Sequence, residues 1–173
     1  MSLPQVQTRD VVNAILGVDD TSDLAKLRNQ KPVLAEQLQD YYRAIFEPEE
    51  RSAASIPVLD RFLVALRVAS HTRSTAVVAW YVDLARQSGA TEETVVRVRD
   101  VDAFWEDASP LGAALRHADL LTLHPVDARK SALDVLNEVG FTPAGIVSLS
   151  QTIAYVSYQV RLVAGLRAIG GLA

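Results

Sequence analysis

The sequence contains no cysteine, and this absence excludes disulfide bonds, thiolate metal sites and thiol nucleophiles. Aromatic residues are also scarce, at 6% of the chain, whereas alanine, valine and leucine are abundant. Such a composition favours packed helices over a β-sandwich. Basic runs are short: no more than two Lys or Arg residues stand together, and the net charge is −4. We therefore expect neither nucleic acid nor a membrane surface as a partner.

Targeting and membrane-spanning segments are not predicted either. The first residues, MSLPQVQTRDVV, lack a basic region followed by an apolar core, so no signal peptide is predicted and the cytoplasm is the expected location. The most apolar long segment, 144–169, contains Gln151, Gln159, Arg161 and Arg167. A membrane-spanning helix needs about 20 mostly apolar residues, and these polar side chains argue against one.

Helical periodicity is present in almost every segment. Apolar residues recur at spacings of three and four in 34–45, 59–69, 77–85, 111–121 and 146–163. No stretch alternates apolar and polar residues over the length of a strand. The pattern predicts an all-α bundle of six to eight helices, and 173 residues suit a single domain.

Proline, threonine and glycine mark the predicted helix ends. Pro57 and Pro143 fit first-turn positions, where the missing N–H costs nothing. Thr142, directly before Pro143, is a favourable N-cap. Gly89 and Gly140 fit the position after a helix, where the backbone often takes the left-handed conformation.

Two long phrases carry a resemblance to a known family. The segment LDRFLVALRVASHTRSTAVVAWYVDLARQSGATEETV resembles the core of the carboxymuconolactone decarboxylase (CMD) and AhpD-like alkylhydroperoxidase superfamily. The segment LTLHPVDARKSALDVLNEVGFTPAGIVSLSQTIAYVSYQVRLVAGLRAI is similar to the tail of its peroxidase-related branch, and a cysteine-free subfamily is the nearest match. The resemblance implies an AhpD-like helical domain over 30–169, preceded by an N-terminal extension, 1–29, with a candidate short helix. It also implies a homo-oligomer.

The resemblance also indicates where peroxidase chemistry would lie. Peroxidase members carry a Glu, then Cys-x-x-Cys-x-x-x-His, and the matching positions here are Phe62, Ser74, Val77 and Tyr81. Peroxide reduction needs a thiolate of lowered pKa and a second thiol that closes a disulfide. The hydroxyl of Ser74 can do neither. Thiol peroxidase activity is therefore not expected, and the alkylhydroperoxidase label applies to the resemblance only.

Four residues around the start of the helix 75–88 are candidates for catalysis. Ser74 is either a nucleophile with His71 as its base or simply the N-cap of the helix. His71 and Arg73 either bind a small carboxylate at the helix N-terminus or form a solvated link between helices. Tyr81 either lines a pocket as a hydrogen-bond donor or belongs to the core.

Three further residues are candidates for ligand binding. Arg67 and Arg161 lie in otherwise apolar helices, where an Arg is rarely buried without a partner. Each is either a structural ion-pairing group or a pocket cation. Tyr155 lies near Arg161 in the sequence and lines either a pocket or an interface.

No metal site or cofactor is predicted. His71, His117 and His124 are the only histidines, and neither an H-E-x-x-H motif nor a pair at i,i+4 is present. Two functions remain open. One is a non-redox protein with a binding or unassigned role. The other is a cofactor-free decarboxylase or isomerase acting on a carboxylate or lactone.

Overall fold

The computed structural model describes residues 10–47, 56–106 and 108–172. Within these ranges the chain is helical and contains no β-strand, which confirms the all-α prediction. Nine α-helices are described there, against six to eight predicted. They are α1 (Val11–Leu16), α2 (Asp23–Arg28), α3 (Pro32–Phe46), α4 (Val58–His71), α5 (Thr75–Gln87), α6 (Glu92–Arg99), α7 (Pro110–Leu123), α8 (Lys130–Glu138) and α9 (Pro143–Gly170), with a 3-10 helix, Pro125–Asp127, after α7.

Helix α4 forms the centre of the bundle. Its ten consecutive residues 61–70 are all buried, which is typical of a helix with protein on every side. Helices α5, α7 and α9 pack closely against it, and α3 and α6 complete its surroundings. The ten include Arg61, whose guanidinium donates hydrogen bonds to the carbonyl oxygens of Ile45 and Ile56 and so ties α4 to the end of α3.

The predicted helix ends are largely present. Thr142 is the N-cap of α9, with its hydroxyl oxygen accepting a backbone N–H at 3.1 Å, and Pro143 is the first helical residue. Gly89 and Gly140 adopt φ of 99° and 97°, the left-handed region that favours glycine. Pro57 differs from the prediction because it is the N-cap of α4, one residue before the first turn.

Two short helices occupy the segment before α3, where one was a candidate. Asp10 caps α1 through bonds from two backbone N–H groups, and Ser22 caps α2. Arg28 at the end of α2 forms an ion pair with Asp10 at 2.6 Å, so the cap of α1 is linked to the C-terminal end of α2. Helix α1 packs on α9 and α5. Residues 1–9 of the predicted extension lie outside the described residues, and its boundary at 29 stays a prediction.

Membrane-spanning potential is low in the part of the chain that the structure describes. No individual helix there is long and apolar enough to cross a bilayer. By length and composition alone, α8 and α9 taken together would qualify, but a bend of 117° separates them.

Candidate functional site

The junction between α4 and α5 has an unusual backbone. Arg73 adopts φ of 55°, the one positive φ among the described residues other than glycine. A side chain at such a φ is disfavoured and usually marks a tight turn or a functional constraint. Ser74 follows as the N-cap of α5, but its side chain makes no capping hydrogen bond. The first backbone N–H groups of α5 are therefore not satisfied by the Ser74 hydroxyl.

Three of the four positions that match the peroxidase residues belong to the packed core. Val77 and Tyr81 are fully buried, and Phe62 is nearly so. The ring of Phe46 stacks on Phe62 with centroids 5.1 Å apart and planes within 3°, and it also contacts Tyr81 at 5.5 Å. Apolar and aromatic side chains thus surround these positions in the part of the chain that the structure describes.

Tyr81 belongs to a buried polar group that the sequence did not reveal. Its hydroxyl donates to the side-chain oxygen of Gln159 at 2.8 Å, and the Gln159 amide donates to the Tyr155 hydroxyl at 3.4 Å. Burial raises the pKa of Tyr81 well above its ordinary value, and the neighbouring Tyr155 and Tyr42 raise it further. Burial likewise raises the pKa of Tyr155. Because both pKa values are raised, neither phenol ionises near neutral pH. The hydrogen bond from Tyr81 to Gln159 joins α5 to α9.

Asp119 of α7 brings together two of the sequence-predicted residues. One of its carboxylate oxygens lies 2.6 Å from Nε2 of His71 and 2.6 Å from Nε of Arg67. Its other oxygen accepts a bond from Arg67 at 2.9 Å. Burial raises the pKa of Asp119, but the hydrogen bonds from His71 and Arg67 outweigh it and lower the pKa below its ordinary value. The carboxylate is therefore ionised and fixes the His71 ring.

Arg67 is held from all sides within this group. The side chain is only 2% exposed, and besides Asp119 it donates to the backbone carbonyl oxygens of 98, 100, 101 and 103. These bonds fasten the irregular segment after α6 to the central helix. Because its donors are engaged by the protein, Arg67 acts as a structural clamp here and presents no free donor to a ligand.

A cleft of about 460 Å³ lies along the outer face of α5. Arg73 lines it at the N-terminal end of α5, Arg86 at the C-terminal end, and Arg99 from α6, with Asp83 as the acidic residue of the lining. Arg86 makes two hydrogen bonds to Glu92, at 2.8 and 2.9 Å. These bonds lower the pKa of Glu92. Arg73 has no side-chain partner among the described residues. The cleft therefore has a positively charged lining, and it lies along the helix that contains the positions matching the peroxidase residues.

The remaining candidates lie apart from this cleft. Arg161 is exposed and donates to the carbonyl oxygen of Ser157 in its own helix, at 2.6 Å. Tyr155 is buried and packs edge-on against Tyr41, with centroids 5.3 Å apart. Within the ranges that the structure covers, no three His, Asp or Glu side chains cluster as metal ligands would. Tyr81, Tyr155 and Arg161 thus bond to residues other than Asp119 and do not line the cleft along α5.

Asp119, Gln159, Arg86 and Arg99 are the residues that sequence reasoning missed. Asp119 is 48 residues from His71 and 52 from Arg67, so no local spacing connects them. The sequence did contain a chemical indication of the pair between Arg67 and Asp119. Arg67 lies in the apolar helix α4 and needs a partner, and Asp119 lies within the segment 111–121 that forms the apolar stripe of α7.

Comparison with known proteins identifies the fold. No protein-family model and no curated protein matches the chain. An uncharacterized peroxidase-related protein from Silicibacter sp. TM1040 has a solved structure with a TM-score of 0.71 and 14% sequence identity, covering 90% of this chain and 78% of that one. A second solved structure, described as an alkylhydroperoxidase AhpD core and an uncharacterized peroxidase-related protein from Ralstonia eutropha JMP134, has a TM-score of 0.68 and 14% sequence identity. The match covers 95% of this chain and 88% of that one. The predicted AhpD-like fold is thereby confirmed, and identity this low shows the fold alone.

Proposed function

We propose that this chain, which has the fold of AhpD-like peroxidase-related proteins, is a non-redox protein that binds a small carboxylate in the cleft along α5. The cleft, with its three arginines, is the observation that carries the proposal. Arg73 is expected to contribute most to binding, because its guanidinium has no partner in the described part of the protein.

The chemistry of the cleft suits a carboxylate. A guanidinium binds a carboxylate through two parallel hydrogen bonds, and the positive end of a helix dipole adds to the attraction. Arg73 precedes α5 by two residues, and the Ser74 side chain leaves the first N–H groups of α5 available. Arg99 adds a second positive charge, whereas the charge of Arg86 is largely balanced by Glu92.

The absence of thiols and the packed core support the non-redox part of the proposal. No cysteine is present anywhere in the sequence. Val77, Tyr81 and Phe62 are buried where peroxidase groups would need access to substrate. We expect no reduction of hydrogen peroxide or of an alkyl hydroperoxide with a dithiol as reductant. Turnover above the rate of the reductant alone would contradict this.

Calorimetric titration with succinate and benzoate tests the carboxylate site. We expect saturable binding of at least one of them at low ionic strength, weakening as salt is raised because the cleft is exposed. Arg73→Ala should weaken binding about tenfold or more, since a hydrogen bond to a charged group contributes about 1.5–3 kcal/mol. Arg161→Ala is the matched control, because Arg161 is exposed and lies outside the cleft. Equal effects of the two variants, or no binding, would refute the site.

A second function, that of a cofactor-free enzyme on a carboxylate or lactone, is favoured by the contact between His71 and Asp119. A carboxylate that fixes an imidazole is the arrangement that orients a general base. His71 lies between Ser70 and Arg73 in the sequence, and both of those line the cleft. Tyr81 and Arg161 are not included in this hypothesis, because they bond to Gln159 and Ser157 and do not line the cleft.

Incubation with a lactone that bears a carboxylate, followed by NMR of the products, tests the second function. If His71 is the base, His71→Gln should lower turnover at least a hundredfold, the lower range of general-base catalysis. Arg161→Gln should leave turnover unchanged. Absence of turnover by the unmodified protein, with carboxylate binding intact, would leave the binding function alone.

A further inference from the structure

A small cavity between α7 and α8 contains a buried imidazole that has no hydrogen-bond partner in the described part of the chain. The cavity measures about 120 Å³. His117 lines it and is 5% exposed, and neither of its ring nitrogens has a hydrogen-bond partner among residues 10–47, 56–106 and 108–172. Polar atoms buried in this way are rare in folded proteins, because leaving them unpaired costs free energy. The site is separate from the cleft along α5, and nothing in the proposed carboxylate binding depends on it.

The residues around His117 define what the cavity can accept. Ala113 and Leu120 on α7, and Ala132 and Val135 on α8, form apolar walls. Arg116 also lines the cavity, but its guanidinium donates a hydrogen bond to the backbone carbonyl oxygen of Trp105. Val135 is 40% exposed, so the cavity has access to solvent along α8.

The protonation state of His117 limits the chemical class of ligand that the cavity can bind. Burial lowers the pKa of His117, so the imidazole is neutral at neutral pH. A neutral imidazole has one donor nitrogen and one acceptor nitrogen. A hydroxyl group can accept from the first or donate to the second, so it fits either tautomer. A hydrocarbon would leave both nitrogens unpaired, and an ion would lose its hydration against apolar walls.

We infer that the cavity around His117 binds a small uncharged hydroxyl compound, with the hydroxyl on the imidazole and the hydrocarbon part on the walls of α7 and α8. The volume agrees with such a ligand. It exceeds the space of one water, about 30 Å³ in the liquid, and approaches the cavity of about 150 Å³ that admits benzene in another protein.

NMR of histidine ring signals tests the inference, because the chain has only three histidines. The protein is labelled with ring-¹³C histidine and titrated at pH 7 with phenol, and in parallel with toluene, which has the same shape without the hydroxyl. We expect a saturable shift of the His117 signal with phenol. Binding of toluene should be about fivefold weaker, as one hydrogen bond implies. The exposed His124 serves as the internal reference.

Two variants distinguish binding of phenol at His117 from nonspecific effects of phenol on the protein. In the His117→Leu variant the missing signal identifies the resonance of His117. This variant should bind toluene at least as tightly as phenol, as measured by the shift of the melting temperature. Ala132→Leu fills the cavity from α8 while the imidazole remains, so it should abolish the phenol shift at His117. It also provides the test if His117→Leu does not fold. The inference is wrong if phenol causes no saturable shift, which is the result expected if the cavity holds only water. It is also wrong if all three histidines shift equally, or if phenol and toluene bind with equal affinity.

Discussion

Replacing Arg67 by methionine tests whether this residue is a structural clamp. The substitution keeps an apolar side chain of similar length but removes two hydrogen bonds to Asp119 and the bonds to the carbonyl oxygens of 98, 100, 101 and 103. Removing one partner of a buried ion pair costs about 3–5 kcal/mol. Asp119 is 25% exposed and regains part of its hydration, whereas several of the carbonyl groups stay unpaired. We therefore expect a loss of about 3–5 kcal/mol.

Urea unfolding at pH 7 followed by tryptophan fluorescence measures this loss. Trp80 and Trp105 report from α5 and from the segment that Arg67 fastens. Since about 2–4 °C of melting temperature corresponds to each kcal/mol in a chain of this size, we expect a fall of roughly 6–20 °C. Arg161→Met is the control, and its cost should stay within about 0.5 kcal/mol because the side chain is exposed.

A double-mutant cycle shows whether the loss comes from the pair. Asp119→Leu alone should be destabilising, because it leaves the Arg67 guanidinium buried without its counterion. The free energy of unfolding that the double variant loses should be smaller than the sum of the two single losses, by about 1–3 kcal/mol. If Arg67→Met costs no more than Arg161→Met while carboxylate binding falls, Arg67 is a ligand-binding residue and the structural argument is wrong.

Three other outcomes can be measured with the same unfolding assay. Tyr81→Phe should cost about 1–3 kcal/mol, because it leaves the buried oxygen of Gln159 without its donor, whereas the exposed Tyr158→Phe should cost almost nothing. Arg73→Gly should be more stable than Arg73→Ala by about 1 kcal/mol, since only glycine adopts φ of 55° without penalty; equal stabilities would contradict the strained junction. Because burial lowers the pKa of His117 in the folded state, stability should fall as pH drops below about 6.5, where the unfolded chain takes up the proton, and His117→Leu should make this fall shallower.

Much of the helical architecture was predictable because its signals are local. Apolar spacing and helix-end residues act over a few positions, so Thr142, Gly89 and Gly140 lie where the sequence indicated. The two helices before α3 were harder to predict. Each has only six residues, too short for a clear apolar stripe. They depend on caps and on packing against α9, which sequence spacing does not reveal.

The candidate site was less predictable because its contacts join distant parts of the chain. The need of Arg67 for a partner was evident from its apolar helix, but the identity of Asp119 depends on how α7 packs on α4. Tyr81 shows the same limit. Its spacing indicated either a pocket or the core, and only the position of Gln159 on α9 distinguishes a buried hydrogen bond from a ligand contact.

The parallel stack of Phe46 on Phe62 has a consequence for how this fold can change chemistry over time. Introducing Ser74→Cys and Val77→Cys would supply thiols but no acid–base group, and Phe62→Glu would place a carboxylate among aromatic rings at a cost of several kcal/mol. The smaller Glu side chain would also leave the Phe46 ring without the ring on which it stacks, and losing a buried Phe from a core costs about 3–5 kcal/mol. The stability of this stack therefore opposes the return of an acid–base group at position 62, whichever other changes accompany it.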